Sequence, residues 1–270
     1  MRMLAAVAQM TSGSDLRTNL TKARELVADA ARRGAELVVL PENFALMGED
    51  EHDKFAVAEP VPGEGAILTA MRQAARDHKV ALVLGGMPEA STATHVFNTS
   101  VYVDAGGELR GIYRKIHLFD VAIPDGATYR ESASVAQGHD VIAVETPWGR
   151  LGMTICYDVR FPELYRALSN SGTRMVTVPA AFTLHTGRAH WHPLLRARAI
   201  ENLSFVLAAA QFGRHNHGKR VTFGHACIID PWGQVLAEVG DREGVAVAEL
   251  DFDYQDRLRA ELPALGHRRL

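Results

Sequence analysis

The sequence predicts an α/β fold in which helices cover mixed β-sheets, and three observations lead to this prediction. Short apolar segments alternate with amphipathic segments of helical period in both halves of the chain. Glycine-rich and Pro-Trp-Gly turns between apolar segments indicate hairpins, so antiparallel pairs are expected beside parallel ones. The chain shows no linker, repeat or low-complexity tract, which favours a single domain over residues 1–270.

The individual elements follow from the same signals. Residues 3–9 and 37–40 are apolar and short, as in buried strands, and Ser14-Asp15 begins a long amphipathic helix that Gly34 ends. Further strands are predicted over 80–86, 175–178, 205–210 and 226–229, and further helices over 64–78, 161–171 and 190–202.

Two hairpins and one long loop complete the predicted order. The first hairpin has arms at 98–103 and 109–113, and the second turns from 141–144 through Pro-Trp-Gly into a strand that ends near Cys156. Residues 119–140 have few periodic apolar positions, so a long ordered loop is expected there.

Composition limits the classes of function. The 270 residues are 47% hydrophobic, which is enough for a sizeable core, and the net charge of -3 offers no basic face for nucleic acid or a membrane surface. Cys156 and Cys227 cannot build a disulfide framework. The apolar segment at the N-terminus is too short for a signal-peptide core. A cytoplasmic protein with a small-molecule partner is therefore expected.

A polar turn follows the apolar segment before Cys156. Phe161-Pro162-Glu163 then has proline at an early helical position. A strand, a sharp turn and a helix expose a side chain at a sheet end, and N–H groups of the turn can bind the charge on an attacked carbonyl oxygen. Taken alone, a cysteine at a strand end is more often a small buried apolar residue, and this is the interpretation we favour for Cys227.

Two charged residues also follow predicted strands, namely Glu42 and Lys115. Amide hydrolysis by a thiol needs a nucleophile, a base and a group that stabilises the oxyanion. If the three strands are neighbours that point the same way, Glu42, Lys115 and Cys156 converge. The lysine is then expected to lower the pKa of the thiol, and the glutamate to transfer its proton. Taken singly, each charge is compatible with a solvated position.

The segments around these three residues resemble a known family. Pro-Glu-Asn-Phe, Tyr-Arg-Lys-Ile-His-Leu-Phe-Asp and Cys-Tyr-Asp-Val-Arg-Phe-Pro-Glu-Leu resemble, in order and spacing, the signatures of the carbon–nitrogen hydrolase (nitrilase) superfamily. The resemblance covers essentially the whole chain. It implies a four-layer α-β-β-α sandwich, amide hydrolysis through a cysteine thioester, at least a homodimer, and neither a metal nor an organic cofactor.

The resemblance also implies roles for particular residues. By motif match, Glu42 is the general base, Lys115 is the cation beside the oxyanion, and Cys156 is the nucleophile. The main-chain N–H of Tyr157 assists the oxyanion. Glu131, in the segment Tyr-Arg-Glu-Ser, matches an additional glutamate that orients the lysine and the substrate. Two carboxylates beside one lysine would also hold it charged.

Further segments resemble the branch that contains the deaminated glutathione amidases and the ω-amidases. They are residues 116–124, 186–191, 195–202 and 213–215. Lys219-Arg220 and Gly224-His225 favour the first of these activities, and ω-amide or N-carbamoyl amide hydrolysis remains the alternative. True nitrilases usually have Trp-Glu after the cysteine, where this chain has Tyr157-Asp158. Nitrile hydrolysis is therefore not expected.

A substrate that carries a carboxylate favours a fixed, bidentate cation in the pocket. Arg160 is the first candidate, and Phe182, Thr186 and His190 are further ones. Arg160 is equally compatible with an ion pair to Glu163 or Asp158 that stiffens the turn.

Three other interpretations are weaker. Histidines group at 185, 190 and 192 and at 215, 217 and 225, but helical geometry separates His190 from His192, so no catalytic metal is expected. A Cys–His hydrolase with His117 or His190 as base leaves Glu42 and Lys115 unexplained. A binding module without activity would be favoured by a missing triad member, and none is missing.

Overall fold

A computed structural model describes residues 1–122, 128–218 and 220–269. Within these residues the strands β1 to β17 are Arg2–Met10, Leu37–Val39, Ala81–Ala90, Val96–Val103, Leu109–Arg114, Asp120–Ala122, Thr128–Arg130, Val135–Ala136, Ala143–Thr146, Gly149–Met153, Met175–Thr177, Phe205–Ala208, Ala210–His215, Arg220–Phe223, Cys227–Ile229, Val235–Glu238 and Gly244–Asp251. The helices α1 to α5 are Leu16–Arg32, Ala66–His78, Pro162–Asn170, Leu184–Asn202 and Phe252–Glu261. Short 3-10 helices cover Asp53–Val57, Glu131–Ala133, Cys156–Arg160, Asn216–Gly218 and Ala264–His267.

The strands of the described residues form two large sheets and a two-stranded ribbon of β6 and β7. One large sheet has the order β14-β13-β1-β2-β3-β4-β5, with β17 paired to β1 and β8 paired to β4, and the other has the order β16-β15-β12-β11-β10-β9. Strands β1, β2 and β3 pair in parallel, as do β10, β11 and β12, whereas β4 is antiparallel to β3 and β5. The expectation of mixed sheets is confirmed.

Strand β1 shows how an apolar sequence builds the layers. Ala5 and Val7 lie in the core between the two sheets, whereas Ala6 and Ala8 lie in the core beneath α1 and α2. Successive side chains of a strand point to opposite faces, so a continuous apolar strand can be buried on both sides. On the far side of the molecule α4 packs against β12 and β15. The four-layer α-β-β-α sandwich is therefore confirmed.

Helix α1 begins and ends at the predicted signals. The Asp15 carboxylate accepts a hydrogen bond from the Thr18 N–H at 2.8 Å, which satisfies one of the unpaired donors of the first turn. Gly34 has a φ of 86°, in the left-handed region that glycine adopts without a steric cost. None of the helices in the described residues has the length and apolar character needed to cross a membrane.

Three predicted elements differ from the structure. Helix α4 begins at Leu184 rather than at residue 190, because Thr183 caps it by accepting from the Thr186 N–H. The apolar segment 205–210 is divided between β12 in one sheet and β13 in the other, which periodicity cannot reveal because both strands are buried. The expected loop at 119–140 contains β6, β7 and β8, and its residues 123–127 lie outside the described residues.

The ends of three strands place the charged residues and the thiol. Strands β2 and β5 run in the same direction in the nine-stranded sheet, separated by β3 and β4, so Glu42 and Lys115 emerge at the same edge. Strand β10, which precedes Cys156, belongs to the six-stranded sheet. The three residues therefore meet across the two sheets, and not at the ends of neighbouring strands in one sheet.

Candidate active site

Glu42 is buried at the end of β2, with 3% of its surface exposed. Its Oε2 accepts a hydrogen bond from the Ala181 N–H at 3.0 Å, and its Oε1 accepts from the Lys115 Nζ at 2.8 Å. The main-chain donor comes from the segment after β11, in the six-stranded sheet. The carboxylate is therefore fixed by a contact from each sheet.

Lys115 is buried between two carboxylates. Its Nζ lies 2.8 Å from Glu42 Oε1 and 2.8 Å from Glu131 Oε2, and 2% of the residue is exposed. Burial alone would lower the pKa of this ammonium group strongly, but the charges of Glu131 and Glu42 outweigh burial and hold the pKa well above its usual value. Lys115 is therefore a fixed cation.

Glu131 lies in the 3-10 helix that follows β7. Besides Lys115, its Oε2 accepts from the Phe119 N–H at 2.7 Å. Burial would raise the pKa of this carboxyl, but the Lys115 charge and these hydrogen bonds lower it below its usual value. Lys115 thus lies between two carboxylates that hold it charged, as the sequence-based interpretation expects.

Asn98 joins the two carboxylates and was missed by sequence reasoning. Its Nδ2 donates to Glu42 Oε1 and to Glu131 Oε1, at 3.0 Å in each case. Gly86 makes room for this amide: it has a φ of 36°, and a Cβ there would lie 2.5 Å from Asn98 Oδ1. Its position in the sequence does not single it out, because Thr99 and Ser100, the next two residues of β4, are polar as well.

Cys156 occupies the predicted turn. It follows β10 and begins a short 3-10 helix that leads into α3, and its φ of 49° is a strained left-handed conformation for a residue with a side chain. Its N–H donates to the Pro179 carbonyl at 2.9 Å, which ties the turn to the next strand. Phe161 and Pro162 begin α3 as the sequence predicts.

The Lys115 charge lowers the pKa of the Cys156 thiol, as expected, but the net direction is upward. Burial raises the pKa of Cys156 most strongly, and the neighbouring Glu42 carboxylate raises it further. Lys115 and the Ala181 N–H lower it, as expected, but they do not compensate for burial. The net direction is upward, so attack by this sulfur calls for a base beside it, and the Glu42 carboxylate is the neighbouring one.

A cavity opens in front of these groups. It holds about 980 Å³ including its open mouth, and both Glu42 and Cys156 line it. Tyr157 lines it as well, and its N–H lies at the start of a short helix, where main-chain donors lack a partner within the helix. The ring of Tyr157 contacts Phe119 edge-on, at 5.1 Å between centroids. The pocket therefore has an aromatic wall beside the thiol.

Three of the four candidate substrate-binding residues line this cavity, namely Arg160, Phe182 and Thr186. His190 is not among the lining residues, and its Nδ1 instead lies 3.1 Å from Arg160 Nη1. His190 therefore contacts a residue that lines the cavity and is not itself one of the lining residues. The Arg160 guanidinium also stacks on the ring of Phe182 at 5.1 Å.

The Asp158 carboxylate accepts hydrogen bonds from other residues and forms no ion pair with Arg160. The carboxylate is fully buried and accepts from Tyr113 Oη at 2.6 Å and from the Ile155 N–H at 2.8 Å. It also accepts from the main-chain N–H of His117 at 3.1 Å, and its Oδ1 lies 2.7 Å from His117 Nδ1. His117 is therefore engaged away from the cavity lining, which argues against its use as a base.

Within the part of the chain that the structure describes, neither histidine group suggested by sequence spacing assembles as a set of possible metal ligands. His215 is buried against the Ser12 carbonyl and the Thr222 hydroxyl. His192 and His225 both contact the carboxylate of Glu238. Each of the three residues offers one atom that could bind a metal ion, and these three atoms lie within 4.8 Å of one another. This trio lies outside the residues that line the cavity.

Cys227 lies in β15 and is fully buried, as predicted. Burial raises the pKa of its thiol far above the usual value. It is not among the residues that line the cavity. Of the two thiols in the described chain, Cys156 is the one that a substrate in this cavity can reach.

The two sheets bring a carboxylate, an ammonium group and a thiol into one cavity, and these are the groups that amide hydrolysis by a thiol needs. The fold and the site define a hydrolase of non-peptide carbon–nitrogen bonds. The chain belongs to the carbon–nitrogen hydrolase family, whose model matches residues 4–260. The resemblance drawn from the three sequence segments is thereby confirmed.

Relatives of established name cover nearly the whole chain. The deaminated glutathione amidase of Synechocystis sp. (strain PCC 6803 / GT-S) is 46% identical over 98% of this chain and 97% of that protein. The crystal structure of the Caenorhabditis elegans NitFhit protein superposes with a TM-score of 0.92 at 42% identity, over 99% of this chain and 65% of that one. Saccharomyces cerevisiae Nit3, a member of branch 10 of the nitrilase superfamily, superposes with a TM-score of 0.89 at 29% identity, over 100% and 97% of the two chains.

Proposed function

We propose that this protein hydrolyses the amide bond of deaminated glutathione between its 2-oxo acid half and its amine half. The observation that carries the proposal is the Lys115 ammonium group held between Glu42 and Glu131 in the cavity that Cys156 lines. The name of the Synechocystis relative supports the choice of substrate. Such a substrate carries a carboxylate on each side of the amide, and cationic residues in the cavity suit it.

The first step forms a thioester. Glu42 takes the proton of the Cys156 thiol as the sulfur attacks the amide carbonyl carbon, and the C=O electron pair moves onto the oxygen. The Lys115 ammonium group and the Tyr157 N–H stabilise that oxyanion. Collapse breaks the C–N bond, Glu42 returns the proton to the leaving nitrogen, and the amine departs.

The second step consumes water. Glu42 removes a proton from a water molecule as its oxygen attacks the thioester carbonyl, and the same cation and N–H stabilise the second tetrahedral intermediate. The C–S bond then breaks, and the proton on Glu42 returns to the sulfur. Free acid and thiol enzyme result.

Charge explains why the thiol reacts although its pKa is high. Burial and Glu42 raise the pKa of the thiol, and the Glu42 carboxylate beside it is the base that takes its proton. Lys115 stays charged through both steps because two carboxylates flank it. Asn98 and Glu131 act as positioning residues, since they hold Glu42 and Lys115 through hydrogen bonds.

We also propose that the chain forms one domain, associates as a homodimer and is located in the cytoplasm. The core between the sheets contains residues from Met3 to Phe252, which supports one folding unit.

Ile200 of α4 and Trp232 in the β15–β16 turn expose 47% and 53% of their surfaces, which suits a subunit contact. Two unpaired thiols suit a reducing compartment. The mass in solution of the protein and of an Ile200→Glu variant tests the dimer.

A comparison of four substrates tests the activity. We expect release of 2-oxoglutarate from deaminated glutathione with a kcat/KM at least about tenfold above that for 2-oxoglutaramate, for an N-carbamoyl amino acid and for a simple nitrile. A higher kcat/KM for 2-oxoglutaramate would assign the protein to the ω-amidases instead. Equal, very slow turnover of all four compounds would contradict the proposed substrate.

A further inference from the structure

Two imidazoles and a carboxylate from three separate elements meet beside helix α4. His192 lies on α4, His225 lies in the connection between β14 and β15, and Glu238 is the last residue of β16. We call them the His–His–Glu trio. Among the described residues it is the one group of three possible metal ligands whose ligand atoms lie within 4.8 Å of one another.

The Glu238 carboxylate lies between the two imidazole rings. Its Oε2 is 3.0 Å from His192 Nε2, and its Oε1 is 2.5 Å from His225 Nδ1. Between about a quarter and a third of each side chain is exposed, namely 31% for His192, 23% for His225 and 30% for Glu238. An ion can therefore enter the trio from solvent.

A second carboxylate lies near the other nitrogen of His225. Asp241 Oδ1 is 3.4 Å from His225 Nε2, so each ring nitrogen faces a carboxylate. A neutral imidazole carries one N–H and cannot donate to both. A metal ion on Nδ1 removes this conflict, because Nε2 then keeps its proton and faces Asp241. Metal-bound histidines commonly have a carboxylate at the second nitrogen, which orients the ring.

Contacts outside the trio hold both rings in place. The His225 carbonyl accepts from Nε1 of the fully buried Trp191 at 2.8 Å, and Trp191 precedes His192 on α4. The ring of His225 stacks on Phe223 at 4.4 Å between centroids, and the ring of His192 contacts the same phenyl group edge-on at 6.2 Å. An ion would therefore bind to side chains that have little freedom left to lose.

The donor atoms determine which ion suits the trio. Two imidazole nitrogens and one carboxylate oxygen form a ligand set that Zn²⁺ accepts, with water in the fourth position. Mg²⁺ and Ca²⁺ prefer oxygen ligands alone. The trio therefore favours zinc over the common alkaline-earth ions.

We propose that His192, His225 and Glu238 bind one Zn²⁺ ion per chain, which links α4 to β16 and to the connection between β14 and β15. The trio is not among the residues that line the cavity. The inference is therefore independent of the proposed amide hydrolysis.

Zinc chloride binding to tag-free protein, first dialysed against a chelator, tests this inference. We expect equilibrium dialysis to find one ion per chain. At a zinc concentration about a hundredfold above Kd, the melting temperature should rise by at least about 3 °C, because the ion binds the folded state. Magnesium chloride should produce neither effect.

Removal of single ligands locates the ion. His192→Gln, Glu238→Gln and His225→Asn should each weaken zinc binding by at least about 100-fold, since loss of a group that only orients a ligand already costs about 10- to 100-fold. Asparagine suits residue 225 because it tolerates the left-handed φ of 61° found there. If His225→Asn does not fold, the other two variants decide.

His185→Gln is the matched control, because His185 is an exposed histidine on the same helix that belongs neither to the trio nor to the cavity lining. It should bind zinc with the affinity of the wild type. Thiolates also bind zinc, so Cys156→Ala is measured as well, and it too should keep the wild-type affinity.

Two results would overturn the inference. Absence of zinc binding to the wild type would show that protons alone bridge the rings and the carboxylates. Wild-type affinity in the three ligand variants, or its loss in Cys156→Ala, would place the ion elsewhere. The proposed hydrolysis would stand in either case, because release of 2-oxoglutarate measures it separately.

Discussion

Tyr113 Oη donates a 2.6 Å hydrogen bond to the fully buried carboxylate of Asp158. Tyr113 lies two positions before Lys115 on β5, and Asp158 lies two positions after Cys156 in the turn. The same carboxylate accepts from the N–H groups of Ile155 and His117. One buried charge thus fixes the thiol turn of one sheet against the lysine strand of the other.

Asp158→Asn tests this connection. The amide NH₂ would face N–H or O–H donors in place of a carboxylate oxygen, and each buried donor left without an acceptor costs about 1–3 kcal/mol. We expect a free energy of unfolding lower by about 2–4 kcal/mol and, below the melting temperature, acylation of Cys156 at least tenfold slower. Denaturant unfolding and single-turnover kinetics measure the two effects. A variant with normal stability and normal acylation would contradict the positioning role.

Gly86→Ala tests the contact with Asn98. A Cβ at residue 86 would lie 2.5 Å from Asn98 Oδ1 and would displace the amide that joins Glu42 and Glu131. We expect a loss of stability of about 2–4 kcal/mol and slower amide hydrolysis.

Gly172→Ala is its matched control, because Gly172 has a φ of 83° and no described atom lies within 4 Å of the position that a Cβ would take there. It should cost only about 1 kcal/mol of backbone strain and leave kcat unchanged. Equal kinetic effects of the two substitutions would show that the Asn98 contact is unimportant.

The thiol should titrate differently when its charged neighbours are removed. Because Glu42 raises the pKa of Cys156 and Lys115 lowers it, Glu42→Gln should lower the thiol pKa and Lys115→Gln should raise it. Both variants should nevertheless lose amide hydrolysis, by about 100-fold or more, since one lacks the base and the other the cation. Ultraviolet absorbance of the thiolate against pH measures the pKa. A lower thiol pKa in Lys115→Gln would refute this account of the site.

The stability of the Lys115–Glu131 pair should depend on pH in a defined direction. The pKa of Glu131 in the folded protein lies below its usual 4.5. The ionised carboxylate therefore contributes fully to the free energy of unfolding above pH 4.5, and this contribution is lost as the pH falls through the folded-state pKa. The difference in unfolding free energy between the wild type and Glu131→Gln should therefore be larger at pH 7 than at pH 3. Denaturant titrations at both pH values test this, and a constant difference would contradict it.

The reacting groups could be predicted because each lies in a recognisable sequence segment. Glu42, Lys115 and Cys156 follow apolar strands, and Glu131 matches a short motif, so local sequence was sufficient to propose them. Asn98 was missed because its hydrogen-bond partners, Glu42 and Glu131, are far away in the chain. A sequence motif specifies a residue type, but not the contacts that a side chain makes in the folded protein.

The fold, like the site, could be predicted from the sequence only in part. Strong apolar periodicity and turn residues identified α1, α2 and both hairpins. The ribbon of β6 and β7 was missed because most of its residues are exposed and carry no apolar alternation. The division of residues 205–210 between two sheets was missed because two buried strands in succession have one continuous apolar pattern.

The central claim is that the sulfur of Cys156 becomes acylated by the substrate under the action of Glu42 and Lys115. Mass spectrometry of protein quenched during turnover of deaminated glutathione measures this directly, with Cys227→Ala as the control for the second thiol. The account predicts an acyl adduct on Cys156 in the wild type and in Cys227→Ala, and neither adduct nor turnover in Cys156→Ala. Undiminished turnover in Cys156→Ala, or an adduct on Cys227 alone, would contradict it.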